Sequence, residues 1–150
     1  MFLTPNIAYA CSCIWPDTMK EAINGKSVIF YGKAIKTVDV DYDPDETRRL
    51  TSTEQYTQFK VKEIWKGNLD ERKTVFHGNG NNCCYCGLVF EPGKYYLVMG
   101  NYNKDDKIIT SRCAGTEYLS LKDYQYLDFD PVTPYNELIK TLKEMPSQKY

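Results

Sequence analysis

The sequence lacks several features that define common function classes. It has one histidine, His77, and a net charge of −1 from 19 Lys and Arg against 20 Asp and Glu. A single histidine argues against metal sites built from several imidazoles and against nucleophilic triads, and we interpret His77 as a structural residue in a strand. Balanced charge argues against a nucleic-acid binder, which needs a clustered cationic footprint. No apolar run approaches the ~18 residues of a membrane-spanning helix.

These absences argue against nucleic-acid binding and against a membrane span. We further predict that the protein is not an enzyme and that it holds no cofactor and no metal of its own. The composition is typical of a globular protein, with 42% hydrophobic and 26% charged residues among 150. A domain of this length buries about 68–70% of the surface its unfolded chain would expose. Since no repeat or linker interrupts the sequence, we predict one domain over residues 11–150 and a monomer.

Cysteine is the most informative residue type. Six cysteines occur in the chain, an even number that is typical of disulfides in an oxidising compartment, although the same number could bind metal in a reducing one. They are Cys11, Cys13, Cys83, Cys84, Cys86 and Cys113. Ala8-Tyr9-Ala10 fits the small-x-small cleavage site of a secretory signal. We therefore interpret residues 1–10 as the tail of a signal peptide, with a short disordered arm as the alternative, and predict a secreted, extracellular protein.

Residues 17–25 have the pattern of a short helix, with Asp17 as the N-cap and Gly25 as a left-handed stop. Strands are predicted over residues 27–38, 55–65, 74–77, 94–99 and 107–111. The second is the clearest, because Phe59 and Val61 alternate with Lys60 and Lys62. Several short strands with polar turns between them indicate an antiparallel barrel or sandwich.

The C-terminal third is predicted to be helical. Ser120 followed by Asp123 resembles a capping box for a short helix. Thr133 and Pro134 can begin a second helix over residues 135–144. Its apolar stripe consists of Leu138, Ile139 and Leu142, and Met145-Pro146 ends it.

The segment Cys11-Ser12-Cys13 carries the functional hypothesis. Cysteines at i and i+2 of an extended chain point the same way, so each needs a distant partner, and six cysteines allow fifteen pairings. A terminus held by two disulfides would not fray. If cleavage follows Ala10, Cys11 gains a free α-amine with a pKa near ~7.7–8.0. Its neutral amine and its carbonyl can chelate the zinc of a partner that has an open coordination position.

Five features together resemble the N-terminal domain of the tissue inhibitors of metalloproteinases, a netrin-like module. The resemblance covers most of residues 11–128. The features are Cys11-Ser12-Cys13, the short helix after it, strands that end in Ile64-Trp65-Lys66-Gly67, Cys86-Gly87 before a strand beginning Gly93-Lys94-Tyr95-Tyr96-Leu97-Val98, and the later Cys113.

The resemblance implies a mainly β fold, a five-stranded antiparallel OB-type (Greek-key) barrel with a short N-terminal helix and C-terminal helices packed against it. It also implies that the Cys11 amine and carbonyl bind the catalytic zinc of a metalloprotease, that Ser12 enters the adjoining pocket, and that the disulfides are Cys11–Cys86 and Cys13–Cys113. The implied ridge of protease contacts consists of Ser12, Cys13, Ile14, Cys84, Tyr85, Cys86, Gly87 and Leu88. The loop over residues 39–49 is implied as a further contact.

The chain also departs from the family pattern. The predicted first helix has no cysteine, and Cys83-Cys84 has no counterpart. These two cysteines could form a vicinal disulfide, stay as thiols or exchange with Cys86. Cys83-Cys84-Tyr85-Cys86 also contains a Cys-x-x-Cys that could be redox-active or a zinc half-site. The alternative to protease inhibition is a netrin-like module that binds another protein without inhibiting a protease.

Overall fold

Seven strands and three α-helices make up the part of the chain that the computed structural model describes, residues 16–40, 54–78, 87–126 and 134–150. The strands are β1 (Val28–Asp39), β2 (Glu54–Lys66), β3 (Arg72–Gly78), β4 (Tyr95–Tyr102), β5 (Ile108–Ile109), β6 (Glu117–Tyr118) and β7 (Gln148–Lys149). The helices are α1 (Met19–Asn24), α2 (Leu121–Tyr126) and α3 (Pro134–Glu144), with a 3-10 turn at Arg112–Ala114. None of these helices is long and apolar enough to cross a membrane.

Five of the strands close into a barrel in the order β1-β2-β3-β5-β4 and back to β1. All of these pairs are antiparallel except β3 with β5, where Val75 pairs with Ile108 in parallel. The predicted OB-type barrel is therefore confirmed, with one parallel pair, β3 with β5, among antiparallel ones. The predicted five strands are all present, although β5 is shorter than expected.

The barrel interior is filled by the alternate side chains of the long strands. On β2, Phe59 and Val61 are buried while Lys60 is exposed and Lys62 half-buried, as the alternation predicts. The interior, here called the barrel core, is rich in aromatic rings that meet edge to face. Its members are Val28, Phe30, Ala34, Phe59, Val61, Ile64, Leu69, Val75, Phe90, Tyr96, Val98 and Ile108.

A second core lies outside the barrel, under the helices. Leu138, Ile139 and Leu142 of α3 are buried there, which confirms the predicted stripe. Tyr31 of β1 is fully buried in this core, stacks on Tyr124 with ring centroids 4.0 Å apart, and donates a hydrogen bond to the Leu119 carbonyl at 2.8 Å. The other members are Ile23, Ile29, Leu97, Met99, Leu119 and Tyr124. Because β1 faces both cores, its first five residues are all buried.

The ends of the first helix differ from the prediction. Thr18, not Asp17, is the N-cap, since its hydroxyl accepts a hydrogen bond from the Glu21 N–H at 3.2 Å. Gly25 ends the helix with φ −72°, in the right-handed region, so the predicted left-handed stop is wrong. The chain can turn into β1 without it because Ser27 is held by the Asn101 side chain at 2.8 Å.

The other helix boundaries agree with the prediction. Ser120 and Asp123 exchange two hydrogen bonds, at 2.7 and 3.1 Å, at the start of α2. Helix α3 begins at Pro134 and ends at Glu144, directly before Met145-Pro146. Thr133, its predicted cap, lies outside the described residues.

Two short strands were not predicted. β6 pairs with β4, placing Tyr118 opposite Tyr96. β7 pairs with the C-terminal end of β2, past the residues of β2 that pair with β3. Tyr150, which follows β7, donates a hydrogen bond to the Leu69 carbonyl at 2.6 Å. The C-terminus is thereby joined to the barrel wall.

Candidate functional site

The predicted contact ridge is described only in part. Gly87 and Leu88 belong to the described residues, and Gly87 is buried while Leu88 packs against the barrel core. Most of the predicted loop after β1 and the predicted signal-peptide segment lie outside the described residues. So do the remaining predicted site residues, which are Cys11, Ser12, Cys13, Ile14, Cys84, Tyr85 and Cys86. The predicted pairings Cys11–Cys86 and Cys13–Cys113 and the state of Cys83 and Cys84 therefore stay predictions.

Cys113 is the one cysteine within the described residues, and it is disulfide-bonded. The segment that follows is fixed firmly: Gly115 takes φ 96°, and the buried Thr116 hydroxyl accepts from the Met99 N–H at 2.9 Å and donates to the Met99 carbonyl at 3.0 Å. The Cys113 region is thus tied to the middle of β4.

The two ends of the loop over residues 79–87 meet at the Gly78 carbonyl. This oxygen accepts hydrogen bonds from the Leu88 N–H at 3.0 Å and from His77 Nδ1 at 2.9 Å. With Nδ1 as the donor, His77 Nε2 accepts from the Thr57 hydroxyl at 2.7 Å. Burial lowers the pKa of His77, so the neutral imidazole is favoured. His77 is therefore a structural residue, as predicted, and it orients the base of the loop that carries Cys86.

A groove of about 390 Å³ runs between the residues after Cys86 and those after Cys113. Its lining includes Leu88, Val89, Glu117 and Tyr118, together with Tyr96 of β4. Val89 and Tyr118 are 50% and 54% exposed, the highest values among the large apolar side chains of the described residues. Apolar groups exposed together on a polar surface are typical of a contact site for another molecule.

The groove is slightly acidic. Its lysine, Lys94, is paired with Glu91 at 2.6 Å, which raises the pKa of Lys94, and its Nζ lies 5.6 Å from the centre of the Tyr118 ring. Burial raises the pKa of Glu117, which lines the same groove. Lys94 is paired with Glu91, so the lining of the groove has one more acidic residue, Glu117, than it has lysines.

The described residues offer no group of three or more His, Cys, Asp or Glu side chains that could hold a metal ion. The Cys-x-x-Cys hypothesis concerns cysteines beyond this part of the chain, so it is not tested.

Sequence reasoning missed the far side of the groove. Glu117 and Tyr118 sit in a two-residue strand, which is too short to produce an alternation. One feature of the sequence could have indicated them. They follow Cys113 by a few residues, just as Leu88, which the resemblance places on the contact surface, follows Cys86.

A comparison with protein-family models found no match for this chain, and a search of curated proteins found none either.

Proposed function

We propose that the protein is a secreted inhibitor of zinc metalloproteases that acts through a mature N-terminus at Cys11. The observation that carries the proposal is the convergence of the Cys86 and Cys113 regions on one groove. Leu88, two residues after Cys86, and Thr116, three residues after the disulfide-bonded Cys113, line the same 390 Å³ space. A terminal segment bonded to both cysteines would lie against this surface.

Two bridges from one tripeptide limit how far apart the two partner cysteines can lie. In an extended chain, Cys11 and Cys13 would lie about 7 Å apart with their side chains on one side. A disulfide spans about 4.4–6.8 Å between Cα atoms. One tripeptide can therefore reach two cysteines whose Cα atoms are separated by no more than about 20 Å. The proposal therefore requires the Cα atoms of Cys86 and Cys113 to lie within about 20 Å of each other.

The chemistry of the terminus supplies the inhibition. Catalytic zinc sites hold the metal with three protein ligands and keep a fourth position for water or substrate. The α-amine of Cys11 and its carbonyl would occupy that position and displace the water. Because an amide nitrogen is no zinc ligand, the mechanism requires cleavage before Cys11. Two bridges would pre-order the segment and so reduce the entropy lost on binding.

The test compares two chains that differ by one residue. The first begins at Cys11, and the second retains Ala10 in front of it. Each is oxidised, purified and titrated against a panel of zinc endopeptidases with a fluorogenic peptide, with a serine protease as the negative control. We expect the Cys11 chain to inhibit at least one zinc enzyme about 100-fold more strongly than the Ala10 chain, as for the loss of a metal ligand or a charge-assisted contact.

A matched control keeps the number of residues and converts the basic amine into a urea nitrogen that cannot bind zinc. Carbamylation of the Cys11 α-amine leaves the disulfides intact, and it should reproduce the effect of Ala10. Equal inhibition by both chains would exclude chelation by the terminus. Absence of inhibition by either chain across the panel would leave the second candidate, a module that binds another protein.

The exposure of Val89 and Tyr118 favours that second candidate, since they form an apolar contact surface that needs no protease. A double variant, Val89→Ser/Tyr118→Ser, distinguishes the two candidate functions. A protein-binding module would lose its partner with these substitutions, whereas an inhibitor that depends mainly on the terminus would retain most of its potency.

A further inference from the structure

A chain of three hydrogen-bonded side chains runs across β1, β2 and β3 near one end of the barrel. Thr37, Thr57 and His77 are joined in this order by two contacts of 2.7 Å. Thr57 is fully buried and His77 is 3% exposed. Because the Thr57 hydroxyl donates its proton to His77 Nε2, its oxygen accepts a hydrogen bond from the Thr37 hydroxyl. The direction of both hydrogen bonds is therefore set by an imidazole that is neutral.

The same imidazole holds the segment over residues 87–90 against β3. Its Nδ1 donates to the Gly78 carbonyl, which also accepts from the Leu88 N–H. The ring of Phe90 meets the imidazole edge to face, with ring centroids 4.8 Å apart. Leu88 and Phe90 line the groove of about 390 Å³ beside Tyr118, here called the candidate groove. The position of these two lining residues consequently depends on His77.

Protonation of His77 does not fit this arrangement. A protonated ring donates from both nitrogens, so Nε2 would face the proton of Thr57 and both threonine hydroxyls would have to turn. The added charge would also be buried, and burial accordingly lowers the pKa of His77. If the segment over residues 87–90 moves away, the ring reaches water, where a histidine has its ordinary pKa of about 6.5.

The surrounding elements provide no counter-charge for a protonated ring within the part of the chain that the structure describes. The charged residues next to its contacts on these elements are Lys36, Asp39, Glu54, Lys60, Glu91 and Lys94. Asp39 accepts a hydrogen bond from the Gln55 amide at 2.8 Å, and Glu91 is paired with Lys94 at 2.6 Å. Among the described residues, none of the ion pairs includes the imidazole.

We infer that His77 is an acid-sensitive switch for the candidate groove: the neutral ring holds Leu88 and Phe90 in place, and the protonated ring releases them. The inference rests on the proposed function, in which this groove receives the N-terminal segment. Inhibition should therefore weaken as the pH falls below about 6.5. For an opening that frees the ring, the ratio of open to closed form rises by at most about 25-fold from pH 7 to pH 5.

The first experiment measures the switch without a protease. Amide hydrogen exchange of the oxidised full chain is followed by NMR at pH 7 and pH 5, and each rate is divided by the rate of an unstructured peptide at that pH. We expect the Leu88 amide to be less protected than amides of the ladder between β1 and β2, since it opens locally. Its protection should fall by about tenfold or more between the two pH values. In His77→Gln, which has no titrating ring, the fall should be less than about threefold.

A second measurement needs no variant. The chain has one histidine, so its ring resonances are unambiguous. Protection of the Leu88 amide should begin to fall near about pH 6.5 and level off near the lower pH at which the ring titrates in the folded protein. The inference would be overturned by protection that is independent of pH, that falls equally in His77→Gln, or that equals the protection of the ladder between β1 and β2.

The regulatory consequence is measured with the chain that begins at Cys11 and with its His77→Gln variant. Each is titrated at pH 7.5 and pH 5.5 against a zinc endopeptidase that is active at both values. Since protonation of the α-amine affects both chains alike, the ratio of the two inhibition constants isolates the effect of His77. We expect this ratio to be about threefold larger or more for the unmodified chain.

Equal ratios in the two chains would overturn the control of the groove by His77. Absence of inhibition at every pH would instead reject the proposed function, and the exchange of the Leu88 amide would still decide whether the switch exists.

Discussion

The contact between helix α3 and the barrel contains a nearly buried carboxylate. Glu63 of β2 is 3% exposed, and its Oε1 accepts a hydrogen bond from the Ser147 hydroxyl at 2.5 Å. Its Oε2 accepts no hydrogen bond from the part of the chain that the structure describes, and it lies 3.8 Å from Lys143 Nζ. That same Nζ lies 3.3 Å from the centre of the Tyr124 ring. Lys143 therefore balances a carboxylate that has almost no access to water.

Lys143→Met removes the cation and keeps a side chain of similar length. Breaking a fully buried ion pair by removing one partner costs about 3–5 kcal/mol. The Lys143 side chain is still 20% exposed, so solvent already screens part of the interaction. We therefore expect a loss of about 2 kcal/mol in the free energy of unfolding, or about 4–8 °C in Tm. Glu63→Gln should cost less, because Lys143 can then keep its contact with Tyr124 and its access to water.

The measurement is a double-mutant cycle in urea at neutral pH with Lys143→Met, Glu63→Gln and the pair combined. We expect a coupling energy of about 1 kcal/mol or more between the two positions. Lys140→Met is the matched control, since Lys140 is exposed on the same helix and carries the same charge. A cost below about 0.5 kcal/mol for Lys143→Met, or a cycle with no coupling, would refute the argument that Glu63 depends on this cation.

Two further predictions concern the barrel. A Cβ added at Gly100 would lie 2.5 Å from the Ile109 carbonyl oxygen, so Gly100→Ala should destabilise the fold by about 1–3 kcal/mol in urea titrations, and an unchanged midpoint would contradict this close approach. Burial lowers the pKa of His77 in the folded protein. Below about pH 6.5, His77 is therefore protonated more readily in the unfolded chain than in the folded one. Stability should consequently fall from pH 7 to pH 5, and less so in His77→Gln; parallel urea midpoints of the two proteins over this range would show that His77 titrates alike in both states.

The elements that the sequence predicts well are those whose burial follows a local period. The alternation around Phe59 and the stripe of Leu138, Ile139 and Leu142 each repeat over several residues, and both stripes are buried as predicted. In these stretches the hydrophobic pattern and the backbone geometry indicate the same side of the element. Local information was therefore sufficient.

The first helix shows where local information is insufficient. Asp17 and Thr18 are adjacent residues that both favour an N-cap, and the sequence does not decide between them. The backbone conformation of Gly25, where the helix ends, depends on the direction in which the chain enters β1. That direction is set by the contact of Ser27 with Asn101, which is 74 positions away in the sequence.

The arrangement of side chains on the barrel surface depends on register, which the sequence did not specify. Lys33, Lys60 and Arg72 look like ordinary exposed residues until their strands are paired. The net charge of −1 did not reveal that these three cations are neighbours, because it is a sum over the whole chain. For the candidate groove, Leu88 was predicted from its neighbour Cys86, whereas Tyr118 could be placed only after β6 was found beside β4.

The parallel pair between β3 and β5 also has a dynamic consequence. β5 consists of two residues, Ile108 and Ile109, so it forms only short pairings with β3 and with β4. The other strand pairs of the barrel are longer. Local openings involve the segments with the fewest backbone hydrogen bonds, so the cylinder should part first along β5. Such a fluctuation would bring water to Val75 and Ile108, while the long ladder between β1 and β2 stays closed. The least stable part of the barrel is consequently the pairing of β5, which is the last of the five barrel strands in the sequence.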